Sequence, residues 1–276
     1  MDFTENTFRN IEMINMTISS FDIKTGLATL GLTKSLVIAH ASLKAFGHIE
    51  GGADTMLDAL LNSVRGVIMP TFTYKTMLNP EIGPPKNGIT YGSESDLNKM
   101  AEVFHPDMPA DKMMGTLPET LRKHPKAKRS MHPIQSFAGI RADAVLNTQT
   151  IYNPLAPIGT LADLDGWVLL LGVDHRVNTS IHYAEKLSGQ IQFLRWALVQ
   201  DRVVECPGFP GDSEGFESIA PAVEKYTRRV EIGNAVVQAV HLKSLIKAVV
   251  DQLKENPFAL LCQRQDCERC TAVRWS

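Results

Sequence analysis

A layered α/β domain with a mixed sheet is the fold class this sequence predicts, and three observations lead there. Short apolar runs of strand length recur along the chain, and amphipathic stretches of helical period separate them. A late pair of runs is joined by a turn of hairpin length, which adds an antiparallel pair to an otherwise alternating order. The 276 residues are 44% hydrophobic and 21% charged, enough apolar material for a large core without disulfides or other staples.

The elements follow in order. Residues 1–16 are weakly patterned and are expected to be a mobile N-terminal extension, with a single domain over 17–276. Residues 17–30 suit a helix stopped by Gly31. Residues 35–39 form a short buried-strand run. Met56, Leu57, Leu60, Leu61 and Val64 then share one face of a helix over 53–64. A second buried strand covers 66–70. Residues 75–115 are polar and proline-bearing, the character of a lid or specificity loop. Strands at 136–140 and 167–173 and a helix at 180–186 come next. The hairpin covers 192–199 and 203–205 around Gln200-Asp201, and helices at 216–226 and 242–253 close the pattern.

Whole classes of function fall away on composition. A net charge of −2 gives no bulk attraction to nucleic acid. No apolar run approaches the ~18–20 residues of a membrane span. The first residues, Met1-Asp2-Phe3-Thr4-Glu5-Asn6, lack the basic and apolar regions of a signal peptide, so a cytoplasmic protein is expected.

Several strand ends carry polar residues. The 35–39 run delivers His40, Ser42 and Lys44 to a turn, and Gly51-Gly52 opens the next helix, a set that could hold a phosphate. A solvated lysine at a strand exit explains the same pattern, since no dinucleotide or P-loop fingerprint is present. Met69-Pro70-Thr71-Phe72-Thr73 leaves the second strand with two hydroxyls. After the 167–173 strand, Asn178 or Thr179 can cap a helix that carries His182 in its first turn. The positive helix end favours a neutral imidazole there, which makes His182 a candidate base as well as a plain capping-turn histidine. Five carboxylates, among them Glu205 and Asp212, lie between residues 205 and 224, where they could orient a base or be solvated.

Cysteines stand at 206, 262, 267 and 270. The Cys262-x4-Cys267-x2-Cys270 run contains the two-residue spacing that lets neighbouring thiolates share one tetrahedral ion. Cys206 and Cys262 complete an expected structural zinc site, with buried free thiols as the alternative.

Taken in order, these segments resemble the aminoglycoside 3-N-acetyltransferase family. The blocks are His40-Ala41-Ser42-Leu43-Lys44, Gly51-Gly52-Ala53-Asp54-Thr55 and Met69-Pro70-Thr71-Phe72-Thr73. Met114-Gly115-Thr116-Leu117-Pro118-Glu119 with Arg122, Arg129-Ser130-Met131-His132-Pro133 with Ser136-Phe137, Leu164 to Val173 and Asn178-Thr179-Ser180-Ile181-His182-Tyr183-Ala184-Glu185 complete the set. The resemblance covers about residues 17–270.

It implies a three-layer α/β/α fold with a mixed central sheet, unlike the commoner acetyltransferase fold. The implied activity is acetyl transfer from acetyl-CoA to the 3-amine of a 2-deoxystreptamine aminoglycoside, an antibiotic-resistance chemistry. Acetyl-CoA is expected along His40, Ala41, Ser42, Leu43, Lys44, Phe46, Pro70, Thr71, Phe72, Thr73, Arg129 and Ser130. His182 matches the catalytic histidine, with Glu205 or Asp212 expected behind it and Thr179 near the oxyanion. Ala41 departs from the family's usual serine and removes one hydroxyl from the cradle. The partners implied are a small-molecule aminoglycoside, no nucleic acid and no membrane, on a monomer or homodimer. A family-like CoA- or zinc-binding module without turnover, or transfer to a non-antibiotic amine, fits the same residues.

Overall fold

The computed structural model describes residues 17–93 and 98–276, so the extension expected at 1–16 lies outside the described residues. Seven strands form the central sheet. They are β2 (Leu36–Ala41), β4 (Gly66–Pro70), β6 (Lys128–Arg129), β7 (Phe137–Ile140), β8 (Trp167–Leu171), β11 (Thr227–Ile232) and β12 (Ala235–His241), with spatial order β11-β12-β8-β2-β4-β7-β6. β2 runs parallel to β4 and β8, while β12, β11, β7 and β6 join through antiparallel pairings. The sheet is mixed.

Side chains alternate across each strand, and this alternation builds the layers. Val37 and Ala39 of β2 join Val67, Met69, Leu169 and Leu171 beneath Ile23, Leu27, Met56 and Leu60 of the helices Ser20–Thr29 and Gly52–Ser63. Leu36 and Ile38 point the other way, with Ile68, Val168 and Leu170, onto the helices Ala156–Asp163, Ser180–Leu187 and Leu242–Glu255. Two cores on opposite faces make three layers, α/β/α.

The hairpin expected late in the chain is β9 (Phe193–Val199) and β10 (Arg202–Phe209), with Gln200 at φ 56 in its turn. It pairs with β5 (Met77–Leu78) in a separate three-stranded sheet. The antiparallel part of the central sheet therefore has another source, chiefly the β11–β12 hairpin that turns at Gly233-Asn234. β1 (Thr17–Ile18) pairs with β3 (His48–Ile49), and Ser19 caps the following helix through a reciprocal bond with Asp22.

Three boundaries differ from expectation. The first strand continues through Ala41, so His40 is a buried strand residue rather than part of the turn. The helix expected over 216–226 is broken into a 3-10 turn, Ala220–Val223 and another 3-10 turn. Pro221 lacks the N–H that a continuous helix there would use. A helix at Thr116–Lys123 follows the long loop region. Among the described residues, no helix is long and apolar enough to cross a membrane.

Candidate active site

The exits of β2, β4 and β8 lie on one edge of the sheet, the usual crevice for ligands in open α/β folds. A cavity of about 260 Å³ opens there. His40, Ala41, Pro70 and Phe72 line it from the first two exits, and Thr179 and His182 from the helix that follows the third.

His182 sits in the first turn of Ser180–Leu187. Its Nδ1 lies 2.7 Å from Glu185 Oε2, one helical turn on. Both groups are buried, and Phe216 packs edge-on against the imidazole at 4.7 Å. A carboxylate only accepts hydrogen bonds, so Nδ1 carries the proton and donates. Nε2 is left as a lone-pair acceptor with no partner among the described residues. A histidine held in one tautomer by a carboxylate in this way can accept a proton at Nε2.

The carboxylate is neither of the two expected. Glu205 lies exposed on β10, opposite Trp196 of β9. Asp212 binds Arg264 at 2.9 Å and Arg269 at 3.3 Å. The legible signal was the i, i+3 spacing of His182 and Glu185 on one helix.

Thr179 occupies the N-cap position with no side-chain capping bond, and its hydroxyl has no partner among the described residues. Asn178 orients the turn, accepting from the Ser180 N–H at 3.1 Å and contacting His175 Nδ1 at 3.1 Å.

The expected acetyl-CoA segment divides in two. His40, Ala41, Pro70 and Phe72 face the cavity, and His40 Nε2 is buried without a partner. Burial, and then neighbouring His175, push the His40 pKa down to about 3, so this ring stays neutral. Ser42 and Leu43 are half-buried on the turn, and Lys44 is exposed beside them.

The side chains of the remaining members do not line this cavity and are bonded or packed within the protein. Phe46 is 1% exposed and packs within the first core. The Thr71 hydroxyl donates to the Ser136 carbonyl at 3.1 Å, and that of Thr73 to Pro133 at 2.5 Å. Arg129 donates to the Thr71 carbonyl at 2.7 Å, to Ser136 Oγ at 3.0 Å and to the Pro106 and Met108 carbonyls, tying loop to strand exit. Ser130 Oγ is bonded to both the carbonyl and the N–H of Phe137. Hydroxyls and guanidinium alike are committed to hydrogen bonds within the protein, most of them to backbone carbonyls.

A wider cavity of about 680 Å³ adjoins the first, sharing Tyr74, Met113, Phe209 and Arg269. Lys75, Asn79, Asn98 and Glu102 give it a polar side, drawn from the region expected to form a specificity loop. Sequence reasoning did not single out Tyr74, Arg176 or Arg269, because only the tertiary fold brings them to the cleft.

The expected zinc ligands are also rearranged. Cys262, Cys267 and Cys270 cluster with Asp212, their ligand atoms all within 4.8 Å of one another. Cys206 is outside the cluster, buried in the third apolar core with Sγ directed at the Val204 carbonyl 3.7 Å away. Burial raises its thiol pKa to about 12.

Comparison with known proteins bears on the same regions. The YokD protein of Bacillus subtilis (strain 168), an SPbeta prophage-derived aminoglycoside N(3')-acetyltransferase-like protein, is 31% identical over 180 residues. That alignment covers 59% of this chain and 63% of YokD. Aminoglycoside N(3)-acetyltransferase VII of Streptomyces paromomycinus is 33% identical over 173 residues, 59% of this chain and 58% of the relative. This chain thus spans roughly three fifths of the length of those relatives. The solved apoenzyme of aminoglycoside acetyltransferase AAC(3)-IVa shares the fold with a TM-score of 0.77, at 22% identity, over 95% of this chain and 99% of its own. AAC-IIIb, solved as a binary complex with CoASH, matches with a TM-score of 0.71 at 21% identity, over 87% of this chain and 97% of its own. The family model for aminoglycoside 3-N-acetyltransferase matches residues 38–254, from the first strand exit past the His182 helix. With most of its length inside that match, the chain belongs to the aminoglycoside 3-N-acetyltransferase family.

Proposed function

We propose that this chain transfers the acetyl group of acetyl-CoA to the 3-amine of a 2-deoxystreptamine aminoglycoside. The observation that carries the reading is the His182–Glu185 pair on the wall of the strand-exit cavity. An alkyl amine is mostly protonated at pH 7 and must lose that proton before its nitrogen can attack a thioester. In this reading His182 Nε2 takes the proton. The neutral nitrogen bonds to the thioester carbon, the C–S bond breaks, the imidazole passes its proton to the departing thiolate, and the remaining excess proton on nitrogen is lost to solvent as the amide forms. The Thr179 hydroxyl serves the oxyanion, a role worth ~3–4 kcal/mol per donor.

The side chains at the β2 and β4 exits fit acetyl-CoA. His40 Nε2 offers a buried, unpartnered polar atom, Ala41, Pro70 and Phe72 an apolar slot, and Lys44 an exposed cation. The larger cavity, of about 680 Å³, is assigned to the aminoglycoside, since it lies in the range of multi-ring ligand sites. Release of CoA on mixing acetyl-CoA with a panel of 2-deoxystreptamine aminoglycosides tests the reading, with NMR of the product to locate the acetyl group. Bound acetyl-CoA with no release toward any amine would favour a module without turnover. Turnover of unrelated amines alone would move the substrate outside the antibiotics.

Two substitutions check the divided cofactor segment. Lys44→Ala is expected to raise the Michaelis constant for acetyl-CoA and leave that for the amine nearly unchanged. Phe46→Ala is expected to lower stability by about 3–5 kcal/mol in denaturant unfolding, the range for emptying a buried phenylalanine site. The acetyl-CoA constant of the surviving folded enzyme should not move. An acetyl-CoA effect of Phe46→Ala with intact stability would return that residue to the cofactor site.

A further inference from the structure

The third apolar core contains four buried cysteines, yet only three of them gather round a carboxylate. Cys262 lies on the segment after the long helix Leu242–Glu255. Cys267 is the N-cap of the helix Glu268–Arg274, and Cys270 lies in its first turn. Asp212 arrives from the loop after β10, far away in sequence. All four side chains are 7% exposed or less.

Apolar packing accounts for a buried thiol such as Cys206, but not for a buried carboxylate among three more. The separations suit a single ion. Four ligands on a tetrahedral zinc at ~2.3 Å stand about 3.8 Å apart, so a set already within 4.8 Å needs only a small contraction. Charge agrees as well. Three thiolates and one carboxylate on a divalent ion leave two negative charges. Two guanidiniums, Arg264 and Arg269, already meet Asp212 Oδ2 at 2.9 and 3.3 Å. Such fixed cations are what a closed, anionic sulfur-rich site needs around it.

We propose that Cys262, Cys267, Cys270 and Asp212 hold one structural zinc ion, with Arg264 and Arg269 as its charge-balancing shell. On binding, the three thiols release their protons to solvent and each sulfur donates a lone pair to the metal. No oxidant or reductant takes part.

The site bears on the cleft through Arg269, which lines both cavities and also donates to the Gly211 carbonyl at 3.0 Å. The 84–90 loop rests on the same helix. Gly88, at φ +56, lies so close that a Cβ there would come within 2.9 Å of Arg269 Cα, and Thr90 bonds Glu268. The metal therefore clasps the last helix against the walls assigned to the aminoglycoside. This consequence rests on the proposed acetyl transfer, whereas the metal site does not.

The test is elemental analysis of the full chain purified without chelators. Zinc at one ion per chain is expected, with Cys267→Ser and Cys270→Ser losing it and Cys206→Ser retaining it. Far-UV circular dichroism checks that each variant is folded. Cobalt-reconstituted wild-type protein is expected to show thiolate-to-metal charge transfer and tetrahedral ligand-field bands, a readout that needs no variant. Zinc well below one ion per chain, four freely titrating thiols and no cobalt bands would overturn the site. Chelation of the holoenzyme should raise the Michaelis constant for the amine more than that for acetyl-CoA. Metal without transfer would sink the acetyltransferase reading alone, and transfer by protein that carries no metal when purified without chelators would sink the zinc site alone.

Discussion

His182→Ala is expected to lower acetyl transfer by about 10²–10⁴-fold, the span for losing a general base, while acetyl-CoA binding persists. The imidazole faces the cavity through Nε2, and its other nitrogen is committed to Glu185. Removing it leaves the protonated amine with no acceptor at that position. Alanine is compatible with the helix, but it also strands the buried Glu185 carboxylate, and an unpaired buried charge is strongly destabilising. His182→Gln therefore accompanies it. Glutamine can donate to Glu185 and keep the fold, yet it offers no base, so its rate should fall as far with a smaller loss of melting temperature. Steady-state CoA release and calorimetric titration with acetyl-CoA measure the two effects. Either folded variant retaining more than about a tenth of turnover would remove His182 from the role.

How much of this was legible follows from the kind of signal each part carries. β4 and the helix Gly52–Ser63 could be read nearly to the residue, because a pure apolar run and a clean helical face report burial directly. The β11–β12 hairpin, absent from the elements expected above, carries a readable signal too, Gly233-Asn234 between alternating strands. Which sheet a hairpin joins is another matter. Nothing local in β9 and β10 says that they pair with β5 rather than with the central sheet. The site divides the same way. His182 and Thr179 follow from a strand–turn–helix pattern, and the three terminal cysteines from their spacing. Asp212 could not be chosen over Cys206, because proximity across fifty residues of chain is decided by packing. Phe46 and Arg129 show the converse. Residue types that suit a cofactor site also suit a core and a loop tie, and only burial and bonding partners separate those roles.

Glu185→Gln should be nearly as damaging as the loss of His182 itself, about 10²–10⁴-fold in kcat, with the acetyl-CoA Michaelis constant little changed. In the proposed reaction Glu185 is a positioning residue: it is 3% exposed, and its contact is with the imidazole rather than the cavity. The carboxylate can only accept, so it keeps the proton on Nδ1. The glutamine amide can instead donate to Nδ1, which places the proton on Nε2 and turns an N–H toward the amine. A base then becomes a donor. Glutamine has nearly the same volume, so the buried helix face should keep its packing and the variant its fold. Glu185→Asp restores an acceptor on a shorter stem and should recover part of the rate, which a purely structural role would not produce. Nitrogen NMR of the His182 ring reads the cause directly. The wild-type protein should carry the proton on Nδ1 and the glutamine variant on Nε2. Unchanged tautomers beside a lost rate would shift the explanation to support of the charged imidazole in the transition state, and an unchanged rate would remove Glu185 from the mechanism.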